Sequence, residues 1–212
     1  LWQKEKGVKI PFNKANENYL NAVDKKILKK VYLAGGEPTY IKGYFIFLEE
    51  LFVVNPLCEI IINTNLKKLP EAWKNIIKKF KNLTVVCSCD AIETLGTYVR
   101  YPLAWTEFEE NVKFVSENAN FLQFNLVASN LTVHKLYETC MWMKQYSKHI
   151  HLEVLRRPEV FSESAVPMDH RDVYVNAVKK LLKFPVSIYY ATRFRNEVNY
   201  LIKKYSTSVY VK

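Results

Sequence analysis

The residues best placed to do chemistry stand in Val31-Tyr32-Leu33-Ala34-Gly35-Gly36-Glu37-Pro38. The apolar start reads as a short buried strand. Gly35 and Gly36 let the backbone bend sharply and leave its polar groups uncovered, because neither carries a Cβ. Glu37 adds one carboxylate, and Pro38 removes a donor and fixes the exit of the chain. Bare backbone beside one acid suits a small polar ligand, above all one with an amino group. The same residues also describe a tight strand-to-helix turn with a solvated glutamate.

Three more polar clusters recur in the same setting. Asn63-Thr64-Asn65, Ser88-Cys89-Asp90 and Ser129-Asn130 each close an apolar or β-branched run. The runs that must position them are residues 59–62, 83–86 and 121–128, read as strands, with another at 150–155. Helical spacing fills the gaps. Leu20, Val23, Ile27 and Leu28 predict a helix over 16–30, capped by Asn13 or Asn16. Phe45, Leu48 and Phe52 predict a second, ending before Pro56. Trp73, Ile76, Ile77 and Phe80 stand at i, i+3, i+4 and i+7 after Pro70. Phe108, Val112 and Val115 mark a fourth helix, and Val133, Leu136, Tyr137, Cys140 and Met141 a fifth. Residues 97–102, which include Arg100, read as a loop. After residues 150–155 the chain predicts helices over 173–182 and 192–204.

Strand and helix thus alternate five times, the signature of parallel βα units. Right-handed crossovers leave a barrel, a part-barrel or a doubly wound sheet. No GxGxxG follows the first strand, which disfavours a dinucleotide fold. The polar clusters all fall at carboxyl ends of strands, the end that carries the site in α/β barrels. Alternation along a strand puts Ser88 and Asp90 on one face and Cys87 and Cys89 on the other. With the polar pair turned inward, the two thiols face the helices as packing, not as a metal clamp.

The bulk numbers narrow the class. The chain has 212 residues, 49% of them apolar and 14% aromatic, enough for one sizeable core. The net charge of +10 comes from lysines that fall in pairs, such as Lys25-Lys26 and Lys203-Lys204. They form no basic block interleaved with exposed aromatics, so nucleic acid is not the indicated partner. The four cysteines, Cys58, Cys87, Cys89 and Cys140, fit no zinc spacing and no secreted disulfide framework. No apolar run reaches the roughly 18 residues of a membrane span. With no export signal visible, the expected compartment is the cytoplasm. The chain starts at Leu1 without an initiator methionine, and a piece of a longer protein is expected.

The ordered set of motifs resembles the radical SAM enzymes, specifically their twitch-domain type. Val31 to Pro38 resembles the GGEP strand of that family. Asn63-Thr64-Asn65 resembles its third-strand motif, and Ser88-Cys89-Asp90 its fourth-strand Ser-x-Asp. Tyr98-Val99-Arg100-Tyr101-Pro102, Leu155-Arg156-Arg157-Pro158 and Ala165-Val166-Pro167 resemble elements that follow. The resemblance implies a partial (β/α)6 TIM-like barrel with parallel strands, its first strand missing. Residues 1–170 would form the barrel and 171–212 a helical extension of the same domain. It implies S-adenosylmethionine (SAM) across the strand ends. Gly35, Gly36 and Glu37 would receive the methionine amino group, with Pro38 beside them in the cofactor-binding set, Ser88 and Arg100 its carboxylate, and Asp90 the ribose. Asn63 and Asn130 complete the expected set, though either could cap a strand end.

One departure from the family pattern is sharp. The family holds a [4Fe–4S] cluster on a C-x3-C-x2-C loop upstream of GGEP, and no cysteine here precedes Cys58. Clusters need grouped thiolates. The chain is therefore expected to bind no cluster by itself and to be inactive alone. A full-length form would cleave SAM to a 5′-deoxyadenosyl radical and take hydrogen from an unknown substrate, a peptide or a nucleotide. The competing readings are a non-catalytic barrel remnant that binds a nucleotide, a peptide or a partner, and a basic nucleic-acid binder. The strand at Val31 is expected to be an open edge, covered by the leader or by a second copy of the chain.

Overall fold

The computed structural model describes residues 20–206. Its β-branched and apolar runs form β1 (Lys30–Leu33), β2 (Glu59–Thr64), β3 (Leu83–Ser88), β4 (Phe121–Ala128) and β5 (Ile150–Val154). All neighbours pair in parallel, in the order β1-β2-β3-β4-β5. Spatial order follows chain order without a reversal. Right-handed crossovers then put the connecting helices on one face, and the other face becomes the inside of an incomplete barrel. The architecture is α/β, as expected, and the doubly wound alternative, which needs a reversal of order, is gone.

Between the strands run α1 (Lys42–Val54), α2 (Glu71–Lys79), α3 (Glu93–Val99), α4 (Trp105–Asn118) and α5 (Leu136–Tyr146). After β5 come α6 (Arg171–Lys179) and α7 (Ile188–Ser206). α2 shows why these segments are helical. It follows Pro70, opens on Glu71 and closes on Lys78 and Lys79, charges that suit the helix dipole, and it buries Trp73, Ile76 and Ile77. Strand alternation supplies the other half of the core. On β4, Leu122, Phe124, Leu126 and Ala128 are buried toward the helices, while Phe121, Gln123, Asn125 and Val127 are half-buried on the inner face. Phe80, Phe108, Phe124, Phe194 and Leu48 are among the fully buried side chains, each worth about 1.5–3 kcal/mol of apolar burial.

α6 and α7 share this core through Val175, Val178, Phe194, Val198 and Leu201. α7 lies along the β5 side of the sheet. Arg193 pairs with Glu153 of β5, and Arg156 pairs with Glu197 at 3.1 Å. Ser187 N–H donates to the carbonyl of Lys148 at 2.9 Å just before the helix begins. β1, at the other end of the sheet, pairs only with β2 among the described residues. The leader expected to cover it, and the caps expected at Asn13 and Asn16, lie outside the described residues.

Three local expectations are corrected. Helical backbone ends at Ala22 instead of continuing to Lys30, because Asp24 takes the Lys26 N–H at 3.0 Å and starts a separate 3-10 turn, Lys25–Ile27. Residues 97–99 are not loop but the end of α3, with Arg100 as its C-cap. The last helix starts at Ile188, ahead of the expected 192. No described helix is long and apolar enough to cross a membrane.

Candidate functional site

The expected residues gather at the carboxyl ends of the strands. Parallel register sets the ends of β1, β2 and β3 side by side: Leu33 opposite Ile62, and Ile62 opposite Val85. Beyond β1 the chain turns through Gly35 at φ +88° and Gly36 at φ +60°, values that L side chains rarely adopt. A Cβ built on either glycine would meet nothing within 4 Å. The turn therefore opens onto free space and exposes its backbone.

Glu37 is not the solvated acid of the plainest reading. Its Oε1 accepts from the Thr64 hydroxyl at 2.6 Å, the Thr39 hydroxyl at 2.9 Å and the Thr39 N–H at 3.3 Å. Its Oε2 accepts from the Asn65 N–H at 2.8 Å. Two of these four donors, the Thr64 hydroxyl and the Asn65 N–H, hold the glycine turn against the end of β2. Oε2 keeps free acceptor capacity, since a carboxylate offers about four lone-pair sites. Thr64 also accepts from the Leu66 N–H at 3.0 Å, which fixes Leu66 at φ +48°. Sequence reasoning singled out Asn63 and missed Thr64. Asn63 lies on the inner face and donates to the Tyr32 hydroxyl at 3.4 Å. The signal for Thr64 was present: it continues the buried Ile60, Ile62 face of β2, and a buried hydroxyl needs a partner.

Ser88 and Asp90 follow the alternation read from the sequence. Cys87 and Cys89 are 0% and 1% exposed, while Ser88 and Asp90 are half-buried on the other side. Asp90 Oδ1 accepts from the Val127 N–H at 3.0 Å and Oδ2 pairs with Arg100 Nη2 at 2.8 Å. Arg100 therefore stands beside Asp90, and its buried Nε has no hydrogen-bond partner. Lys67 reaches over the same ground to the Tyr101 carbonyl at 3.4 Å. Burial pushes its ammonium down, and Arg100 adds to that against the opposing pull of Glu37. Asn130 donates from Nδ2 to the Val160 carbonyl at 2.9 Å, and its Oδ1 is buried without a partner.

Of these groups Asp90 also lines a cavity of about 540 Å³, together with Tyr98, Val99, Val127, Ser129, Leu131, Thr132, Leu155 and Phe161. It is mostly apolar with one carboxylate (Asp90) and three hydroxyls (Tyr98, Ser129 and Thr132), the usual make-up of a small-molecule site. Its size, the open glycine turn and the orphaned Arg100 Nε and Asn130 Oδ1 fit a nucleoside joined to an amino acid.

The cysteines do not fit an iron–sulfur cluster. All four are buried and free. Burial pushes the Cys89 thiol up to about 12, and raises Cys87, Cys140 and Cys58 as well, away from the thiolate a cluster needs. No group of three or more His, Cys, Asp or Glu among the described residues could hold a metal ion.

Comparison with solved structures gives native anSMEcpe with bound AdoMet and the Cp18Cys peptide at a TM-score of 0.55 and 18% identity, covering 79% of this chain and 49% of that one. Polyhistidine-tagged anSMEcpe with bound AdoMet gives 0.51 and 17%, covering 79% and 46%. Native anSMEcpe with bound AdoMet and the Kp18Cys peptide gives 0.50 and 15%, covering 79% and 49%. That likeness establishes the fold. The chain spans about half the length of these structures. No family profile matches the chain, and no curated protein matches it by sequence.

Proposed function

We propose that this chain is the SAM-holding part of a longer radical SAM enzyme of the twitch-domain type, acting on a peptide in the cytoplasm. One observation supports the reading: Asp90, paired with Arg100 at 2.8 Å, lines a cavity of about 540 Å³ at the same carboxyl ends of the strands that carry the Gly35-Gly36-Glu37 turn. The structural neighbours with bound AdoMet support it.

In this reading each part of the ligand meets a group of matching chemistry. The adenine enters the apolar slot of Val99, Leu131, Leu155 and Phe161. The ribose hydroxyls donate to the remaining lone pairs of Asp90. The methionine carboxylate meets Ser88 and the unpartnered Arg100 Nε, an arginine–carboxylate pairing. The ammonium meets the carbonyls of the glycine turn and the spare Oε2 lone pair of Glu37. Pro38, buried behind the turn, fixes its exit. Asn63 and Asn130 serve the site by holding Tyr32 and the segment at Val160. Radical chemistry on that SAM would need a [4Fe–4S] cluster on cysteines other than these four. A peptide substrate is supported by a neighbour that carries one, and by the exposed aromatics of the rim: Tyr40, Tyr98 and Tyr101 are 55%, 70% and 82% exposed.

The buried cysteines favour a second reading of the chain alone, a barrel that binds SAM without cleaving it. Both readings share one test. Titration calorimetry of the chain with SAM should give saturable binding that ATP does not reproduce and that Arg100→Leu weakens at least about tenfold. No saturable heat with SAM, or the same response to ATP, would sink both.

A further inference from the structure

The end of the sheet opposite the candidate site carries apolar side chains that the core leaves in water. Ile27, Val53, Leu57, Ile188 and Tyr189 are each 70% exposed or more. Among the described residues only Tyr98 and Tyr101, at the other end, match them among large apolar side chains. All five belong to segments that meet the amino ends of the strands. Ile27 closes the 3-10 turn before β1, Val53 stands in the last turn of α1, Leu57 precedes β2, and Ile188 and Tyr189 open α7. Apolar side chains exposed singly are ordinary, but a gathering at one end marks an interaction surface.

Hydrogen bonds seat each segment at that end. Asn55 Nδ2 donates to the Lys25 carbonyl at 3.2 Å and the Leu28 carbonyl at 2.7 Å, which ties the turn before β1 to the end of α1. Asn82 Nδ2 donates to the Leu57 carbonyl at 2.9 Å, beside the start of β3. Ser187 N–H donates to the Lys148 carbonyl at 2.9 Å, so α7 begins beside the start of β5. From there α7 climbs along the strand: Tyr190 lies against His149 and His151, and Arg193 reaches Glu153.

The same end is basic. Lys26, Lys29, Lys81 and Lys148 are exposed there and make no ion pair among the described residues. Three acids of α1 and β2 are already neutralised: Glu50 pairs with Lys25 at 3.1 Å, Glu49 with Lys79 at 2.7 Å and Glu59 with Lys30 at 2.9 Å. Asp24 and Glu117 stand at this end outside an ion pair among the described residues, and the free lysines outnumber them. The apolar side chains form two corners, one at β1 and β2 and one at β5, with Lys81 before the central β3. Strand spacing sets the corners roughly 15–20 Å apart along the sheet. No one side chain of a partner reaches both. A flat anionic surface meets both at once, with the apolar tips entering it and the lysines facing its charge.

We infer that this amino-end rim docks the protein onto an anionic lipid bilayer. Ile27, Val53, Leu57, Ile188 and Tyr189 enter the headgroup layer, and Lys26, Lys29, Lys81 and Lys148 face the lipid charge. Tyrosine suits that layer, with a polar tip on an apolar ring. No described helix is long and apolar enough to cross a membrane, and the contact is peripheral. The candidate site, at the carboxyl ends of the strands, then opens away from the bilayer. The inference stands whatever that site binds.

The test is co-sedimentation of the chain with two kinds of vesicle, phosphatidylcholine alone and phosphatidylcholine with about 30% phosphatidylserine. The expected result is binding at least about tenfold tighter to the anionic vesicles, weakened by added salt. Lys29→Gln with Lys81→Gln should weaken it at least about tenfold, since each lysine near such a surface is worth about fivefold. Leu57→Ser with Ile188→Ser should weaken it at least about fivefold and leave the urea midpoint in place, because both side chains are exposed. Lys42→Gln with Lys68→Gln removes the same charge at the carboxyl end and should leave binding within about twofold. Equal binding to both kinds of vesicle, or binding to neither, overturns the inference. So does a loss with the Lys42 and Lys68 pair as large as that with the Lys29 and Lys81 pair, since net charge alone would then drive the contact. Self-association in light scattering that Leu57→Ser and Ile188→Ser abolish, with no vesicle binding, gives the rim to a second copy of the chain and overturns the lipid assignment.

Discussion

The Thr64 hydroxyl lies 2.6 Å from Glu37 Oε1, and this contact joins the turn after β1 to the end of β2. It makes the acid of the glycine motif a structural clamp first. Any role toward a ligand falls to its second oxygen and to the backbone it holds in place.

Glu37→Ala should therefore lower stability before ligand is considered. It strips the Thr64 and Thr39 hydroxyls and two backbone N–H groups of their acceptor, a loss of about 2–4 kcal/mol in urea unfolding. Thr64→Val, which removes one of the four donors, should cost about 1–2 kcal/mol. A neutral result for Glu37→Ala contradicts the clamp.

Gly35→Ala tests the backbone alone. The site of the new Cβ is empty, so no clash arises. The cost is that of holding alanine at φ +88°, about 1 kcal/mol in thermal or urea unfolding. A larger loss would mean that the turn has a neighbour the open space does not reveal.

Asp90→Ala removes the acceptor of the Val127 N–H and the counter-ion of Arg100 together. The pair is about four-fifths buried, so the expected loss is about 2–3 kcal/mol, with Asp90→Asn at roughly half of that. SAM affinity should fall in both, because ribose and arginine lose the same anchor.

All four thiols should be inert in the folded chain. Each is buried with its acidity suppressed by burial. Reaction with Ellman's reagent should be near zero in buffer and reach four thiols per chain in guanidinium. Fast labelling of Cys87 or Cys89 under native conditions would show that the inward–outward assignment of β3 is reversed.

Acid should weaken the fold from about pH 6.5 downward. His134, His149 and His151 are all pushed below the ordinary histidine value, chiefly by burial. A lowered folded value means that the unfolded chain takes up protons first. Stability is then full above about pH 6.5 and is lost as the pH falls through that range. His149, whose Nδ1 is buried without a partner, is the cleanest case. His149→Phe should flatten the fall in melting temperature between about pH 7 and 5. An unchanged slope would remove histidine from the account.

Much of this was legible in the residues. Residues 121–128 read as a strand, and β4 occupies that span. The Ser88/Cys87 alternation predicted which side chains face the helices, and the buried thiols agree. α3 was not legible, because Thr94, Gly96 and Thr97 are weak helix formers in a short segment. Gly96 is there for contact: a Cβ would come within 2.6 Å of the Ala91 carbonyl oxygen and 3.3 Å of Trp105. The pairing of Asp90 with Arg100 was also hidden. The two were assigned to different parts of a ligand, and only the fold brings a strand end and a helix cap together. The bond chain from the Tyr190 hydroxyl to Gln123 and on to Asn125 escaped because it starts on α7, far along the sequence from β4.

Strict agreement between chain order and spatial order has a bearing on growth by duplication. Each βα unit pairs its strand only with the strands before and after it among the described residues. A whole unit could be gained or shed at a rim of the sheet without rewiring the remainder, and the central strand, sheltered on both flanks, would be the last to notice.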